Sequence, residues 1–416
     1  MSGGPGASFM HSGIFDLDAN PGRVRDISIP DDSSFADNLV SLSAAAPNHP
    51  YSVALAGPDG EDLFVEAVSF FFNALKKSGL EVEGSFNDRL LLANNLGTLK
   101  RSRFALKSLA AGDLRNHDSM KIAVIGIAGL AEFDSKFTAA SAGDLLPRAT
   151  GSYLQSFEAF EMELPGLEGF SNLTPYSIAQ MMDAPGFGDV FAGRVEETVN
   201  GVFTHAAFPA VLGVERHAEV VSRLERALGA VVFEIATVQP SAPGKRIMIA
   251  IEKQLAAAGV KSVRGRAAGF TAAGGEITSV LVETPNGGAV EITAAAAVLA
   301  TGKFLAGGLV HDAAIREPLF GLPVFTESGP AADKTPLVEY VTNKIAERQQ
   351  IVSCGAGVSE KLRALGRDGR PLFGNLFCAG SVIRGYDPYR DGCGTGVAAV
   401  TGYIAGKNAA EFIKIW

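Results

Sequence analysis

At 416 residues the chain is long enough for two domains, each with its own core. Apolar residues at 47% and charged residues at 19% are ordinary for a globular protein and exclude a largely disordered chain. A net charge of −9 without any basic block speaks against a nucleic-acid partner, and no apolar run reaches the ~18 residues that a membrane-spanning helix needs.

Met1–Gly6 carries neither a basic nor an apolar leader pattern, so a cytoplasmic protein is expected. Leu63, Phe64, Val68, Phe71 and Leu75 fall at helical spacing, which predicts a helix over 61–80 ending at Gly79. Residues 81–110 read as strands and turns, and the polar stretch 111–120, with Asp113, Asn116, His117 and Asp118, reads as a linker. Lys121-Ile-Ala-Val-Ile-Gly126 is a buried strand that opens a second αβ alternation. There, helices are expected over 175–183, 188–199 and 215–227, with a corner at Phe208–Gly213 and a strand over 229–236. A helix over 244–257 precedes a meander of strands near 260–267, 276–284 and 289–294, turning at Gly274-Gly275 and Asn286-Gly287. Val298–Gly302 and Asn375–Ala379 read as buried strands, the latter feeding a glycine-rich loop and a closing helix over 396–412.

That loop carries the chemistry. Asn375-Leu-Phe-Cys-Ala-Gly380 leads through Gly385 to Gly392-Cys-Gly394-Thr395-Gly396 and an Ala-rich helix. Glycines without Cβ let backbone approach a flat tricyclic ring. A helix N-terminus stabilises the negative charge that a flavin gathers along its N1/C2=O edge on reduction. Thr301-Gly302, at the end of a small-residue strand, suits the passage of a nucleotide's sugar and phosphates. The bland alternative is a glycine turn capping a helix with no ligand. Gly126-x-x-Gly129 follows a strand but has only two glycines of a dinucleotide fingerprint and reads as strand-to-helix packing. The expected fold class is α/β. An incomplete, discontinuous Rossmann-like flavin domain (1–118 and 243–416) receives an inserted second α/β domain (119–242).

Three further groups of residues make the sequence resemble the B subunits of the anaerobic glycerol-3-phosphate dehydrogenases. These are Gly307-Gly308-Leu-Val with Ile315-Arg-Glu-Pro318, then Gln239-Pro-Ser241-Ala-Pro-Gly244-Lys-Arg246, and the N-terminal runs Ser12-Gly13, His49-Pro50-Tyr51-Ser52 and Leu96-Gly97-Thr98-Leu99. The resemblance covers essentially the whole chain. Its members open with a strand, a Gly-x-Gly-x-x-Gly turn and a helix, and this sequence reads as beginning beyond that unit of about 30 residues. Gly3-Gly4-Pro5-Gly6, with no strand before it, does not replace the turn. What the resemblance implies is oxidation of sn-glycerol 3-phosphate to dihydroxyacetone phosphate during quinone-linked anaerobic respiration. The partners it implies are a catalytic flavoprotein (the A subunit of such a complex) and an iron–sulfur protein, its C subunit, that reaches the inner face of the membrane. The three cysteines, Cys354, Cys378 and Cys393, show no cluster spacing, which agrees with a place inside such a relay. A stand-alone flavin oxidoreductase and a cofactor-free scaffold remain the alternatives.

A phosphate dianion calls for Arg or Lys, and Arg246 and Arg316 lie in the matching runs, each with an internal ion pair as its plain alternative. His49 and His311 are the candidate bases for the substrate hydroxyl. Thr301, Gly302, Gly380, Gly385, Gly392, Gly394, Thr395 and Gly396 are the candidate flavin residues, with FMN favoured over FAD and no metal expected. Arg384 and Arg390 flank the motif without belonging to the family pattern, Cys393 reads as a small buried thiol, and Asp387 as a loop-shaping residue.

Overall fold

The computed structural model describes residues 10–18, 34–115, 119–312, 314–326, 329–330, 336–344, 347, 349–388 and 390–414. The predicted linker residues Asn116, His117 and Asp118, the Gly3–Gly6 run and Tyr389 of the motif lie outside them. After a short strand at Ile14–Phe15 come helices α1 (Phe35–Ala45), α2 (Pro50–Ala54) and α3 (Gly60–Lys77), and then the short strands Val82–Gly84, Leu90–Ala93, Leu99–Ser102 and Phe104–Leu106, as the strand-and-turn reading of 81–110 expected. There follow β1 (Lys121–Ile127), α4 (Ser135–Thr150), β2 (Ser156–Met162), α5 (Pro175–Met182), α6 (Phe187–Thr198), β3 (His205–Pro209), α7 (His217–Leu228), β4 (Val231–Ile235) and α8 (Ala242–Ala257). The remainder holds β5 (Arg266–Ala273), β6 (Glu276–Glu283), β7 (Ala289–Thr293), β8 (Ala297–Leu299), β9 (Val310–His311), β10 (Ile315–Arg316), β11 (Leu376–Cys378) and α9 (Gly394–Lys414).

Two compact units emerge from the contacts, one built from Asp16–Asn73 and Gly259–Trp416, the other from Ala7–Phe15 and Ala74–Ala258. The boundary therefore falls inside α3, whereas the sequence predicts it after residue 118. Leu91, Ala93 and Leu114 join Ile122 and Val124 of β1 in one buried cluster, so the stretch before the linker packs with the strand after it.

The Ala74–Ala258 unit is organised by β1. Its run of Ile, Ala and Val is buried on both faces, the pattern of a central parallel strand covered by helices. All pairings are parallel in the order β2-β1-β3-β4, a doubly wound arrangement. β2 sits at one edge and is correspondingly half-exposed. Asp183, just past α5, accepts backbone N–H bonds from Val214, Glu215 and Arg216 at 3.0–3.2 Å, so a carboxylate fills the approach to the α7 N-terminus.

The other unit holds an antiparallel meander, β5-β6-β7, beside a parallel pair, β8 and β11, in register from Ala297↔Leu376 to Leu299↔Cys378. The first meander strand begins at Arg266 rather than near 260. Asn375 ties the two sheets together. Its side chain accepts from Ile277 N at 2.8 Å and donates to Ile277 O at 2.8 Å and Ala295 O at 2.9 Å, at 1% exposure. Asn375→Ala strands three buried partners and is expected to cost about 2–4 kcal/mol, read as a lower urea midpoint. An unchanged midpoint would mean that water replaces the amide.

Candidate functional site

β8 and β11 run side by side, and their carboxyl ends open into the two loops that carry the small residues singled out in the sequence. Thr301 and Gly302 follow β8, and a side chain at Gly302 would lie 3.5 Å from Ser381 Oγ, so the two loops meet. Gly380 follows β11 with φ +69°, its N–H held by Thr401 Oγ1 at 2.8 Å, and a Cβ there would meet nothing. The protein leaves room at this strand end, where open α/β sheets receive ligands. A Cβ added at Gly308 would collide with the Gly302 carbonyl and lie 2.7 Å from the Thr301 carbonyl and hydroxyl oxygens, so this glycine lets the chain pass closely over the Thr301-Gly302 loop just before β9.

The loop closes on α9. Cys393 immediately precedes this helix, and the first helical hydrogen bond runs from Val397 N to Cys393 O at 2.8 Å. The helix itself makes no use of the N–H groups of Gly394, Thr395 and Gly396. That of Gly396 donates to Asp16 O at 3.0 Å. The Cβ direction of Gly396 faces the Tyr51 hydroxyl and the Leu17 backbone, so this glycine serves an approach within the chain. Gly385 likewise packs on the Asn48 carbonyl. At Gly394 the neighbour is Pro388, 3.4 Å away, an ordinary contact. Gly392 has φ +66° at the turn before Cys393. Open space at Gly380, the meeting of the two strand-end loops and the start of the long helix α9 at Gly394 fit a flavin with a nucleotide tail.

His49 is fully buried. Its Nδ1 accepts from Tyr51 N at 3.1 Å as the N-cap of α2, and its Nε2 lies 3.5 Å from Cys393 Sγ. Because a backbone N–H occupies Nδ1, the neutral ring carries its proton on Nε2. Taking up a substrate proton at Nδ1 would break the cap. His311 differs: its Nε2 is buried and has no hydrogen-bond partner. Arg316, paired across β9 and β10 with Val310, is exposed and donates to Asp312 at 2.7 and 3.0 Å.

Arg246 lies in the other unit, 4% exposed. It donates to both carboxylate oxygens of Glu234 (2.6 and 2.9 Å) and twice to Gly213 O (2.6 and 2.8 Å), which is the internal ion pair left open by the sequence. Arg384 donates to Asn48 Oδ1 at 2.8 Å and lies over the Phe325 ring. Asp387 Oδ1 accepts from Arg390 N at 3.1 Å, a loop-shaping bond.

Sequence reasoning misses Lys303, although it directly follows Thr301-Gly302. It donates to Val352 O and Tyr386 O and lies 5.1 Å from the Tyr386 ring centroid. Tyr51 and Tyr386, which no spacing singles out in the sequence, pack against the His49 ring at centroid distances of 5.3 and 5.7 Å. Burial pushes both phenols well above their usual pKa, so they stay protonated, and Tyr51 donates to Leu17 O at 2.7 Å.

The FAD binding domain family model matches residues 2–397. The chain belongs to that family. Its flavin is thus of the FAD type, and nothing in the match supports the lean toward FMN. The chain is similar to proteins named as the B subunit of anaerobic glycerol-3-phosphate dehydrogenase, as the runs at 239–246 and 307–318 implied. That of Yersinia pestis is 27% identical, with 98% of this chain and 91% of the relative covered. The relative from Pectobacterium carotovorum is 28% identical (96% and 90% covered), and that from Pasteurella multocida 25% identical (90% and 85%). No solved structure matches the chain. No helix among the described residues is long and apolar enough to cross a membrane.

Proposed function

We propose that this FAD-binding chain is one component of an anaerobic glycerol-3-phosphate dehydrogenase complex that oxidises sn-glycerol 3-phosphate to dihydroxyacetone phosphate. The observation that carries the proposal is the FAD binding domain match across residues 2–397, together with relatives of that name along nearly the whole chain. Thr301, Gly302, Gly380, Gly392, Gly394 and Thr395 hold the cofactor. A bound flavin supplies the two-electron acceptor for the hydride leaving C2. His311 offers its Nε2 to the C2 hydroxyl proton. Arg316 exchanges Asp312 for the substrate phosphate, because an exposed ion pair is weakly held in water and a phosphate dianion offers the guanidinium a stronger partner. Electrons then leave through a partner flavoprotein and an iron–sulfur protein at the inner face of the membrane.

The first test is the visible spectrum of the purified chain, with acid release and chromatography of any flavin. FAD is expected, and a colourless protein that takes up no added flavin would sink the reading. In the assembled complex, His311→Gln should lower kcat by about 10²-fold with flavin retained. Arg316→Ala should raise KM by roughly tenfold or more. Wild-type constants in either variant would remove that residue from the site.

A second reading, a scaffold that has given up its cofactor, is favoured by one contact. The Asp16 carbonyl already takes the Gly396 N–H at the helix end where a flavin edge would dock. It predicts normal partner binding by a colourless chain.

A further inference from the structure

His49 caps α2 and Cys393 immediately precedes α9, so one imidazole joins the starts of two helices across 344 residues of sequence. Its neighbours reinforce that link at both ends of the glycine loop. Arg384 donates to Asn48 Oδ1 and Gly385 packs on the Asn48 carbonyl at the loop's beginning. At its end, the Tyr51 hydroxyl lies against Gly396, and the His49 ring packs edge-on against Tyr386 at 5.7 Å. The tautomer imposed by Tyr51 N–H directs the Nε2 proton at the Cys393 sulfur.

We propose that His49 is a positioning residue: through Cys393 it seats the first turn of α9, and thereby sets how strongly that turn stabilises the reduced flavin. This rests on the reading of the loop as the flavin site. The partial positive charge of a helix end falls off within its first turn, so a small displacement of Gly394 and Thr395 changes what the ring edge feels. If His49 did no more than cap α2, asparagine would serve as well, since it is a preferred N-cap residue. Asparagine is too short to reach the sulfur.

The test uses the full chain loaded with FAD, with His49→Asn, Cys393→Ala and the double variant compared with wild type. His49→Asn should keep the α2 cap and fold with lowered stability, because the packing around the buried ring is lost, and should bind FAD roughly three- to tenfold more weakly, with a displaced absorption band and a more negative midpoint potential. Cys393→Ala should do the same, and the double variant should match either single variant rather than their sum. If His49→Asn does not fold, Cys393→Ala leaves the α2 cap intact and carries the same expectation. Variants that bind FAD with wild-type affinity, spectrum and potential would overturn the inference. A wild-type chain that takes up no FAD would instead refute the flavin site, and the inference with it.

Discussion

Arg246→Ala is expected to lower the stability of the Ala74–Ala258 unit by about 3–5 kcal/mol, because it leaves the carboxylate of Glu234 buried without its partner. Glu234 is 2% exposed, and besides Arg246 it accepts from Ser108 Oγ at 2.8 Å and Leu212 N at 3.0 Å. Burial alone would raise its pKa, but the Arg246 guanidinium, with His217 and the Leu212 N–H, brings it down to about 2. A depressed carboxylate pKa stabilises the fold above the unfolded value near 4.5, and that contribution drains as pH falls toward 2. His217, 3.9 Å from Glu234, is held down to about 4 by burial first and by Arg246 second. Its neutral form favours the folded state above pH 6.5, and that contribution is lost as pH falls toward 4. Urea midpoints recorded from pH 7 to 3 should therefore decline in two overlapping steps, and His217→Gln should erase the upper one. Replacing the pair together, as Arg246→Met with Glu234→Leu, should recover most of the loss. A wild-type midpoint in Arg246→Ala, with weakened substrate affinity, would return Arg246 to the substrate site.

Gly396→Ala is the second large effect. The added Cβ would run into the Tyr51 hydroxyl and sit 2.9 Å from Leu17 O, inside a packed region that cannot give way freely. Overpacking of this kind costs about 1–3 kcal/mol, and FAD retention should fall with it. Adding Tyr51→Phe removes the obstructing oxygen and should restore part of the stability, less the hydrogen bond to Leu17 O. Gly394→Ala, facing Pro388 at 3.4 Å, should be mild for stability. If Gly396→Ala were as stable as wild type and lost flavin alone, the missing side chain would face ligand rather than Tyr51.

Gly396 also shows where a sequence stops being informative. The glycine pattern correctly marks a place of close approach, but it carries no direction, and the approaching group at Gly396 is the chain's own Tyr51. Elements with a strong period were legible: β1, α7 and the Gly274-Gly275 turn lie where their apolar spacing and glycines put them. α4 was not, since Ser135–Thr150 has a weak apolar face and carries Pro147 in its last turn. Whether a charged residue faces solvent or a buried partner depends on contacts that no local pattern encodes. Arg246 and Arg316 look alike as residues in matching runs, and only the fold gives one of them Glu234 and the other an exposed Asp312.

The Asp16–Asn73 and Gly259–Trp416 stretches share one unit, and its joining bonds are among the longest-range in the chain. Tyr403 donates to Glu66 across 337 residues, and His49 meets Cys393 across 344. At ordinary translation speeds of 5–20 residues per second, the ribosome needs roughly 15–70 s to cover those 344 residues. Throughout that interval α1 and α2 have emerged without α9, while the intervening 74–258 stretch is completed first. The unit that joins α1 and α2 to α9 is then completed only at the end of synthesis, after the 74–258 stretch.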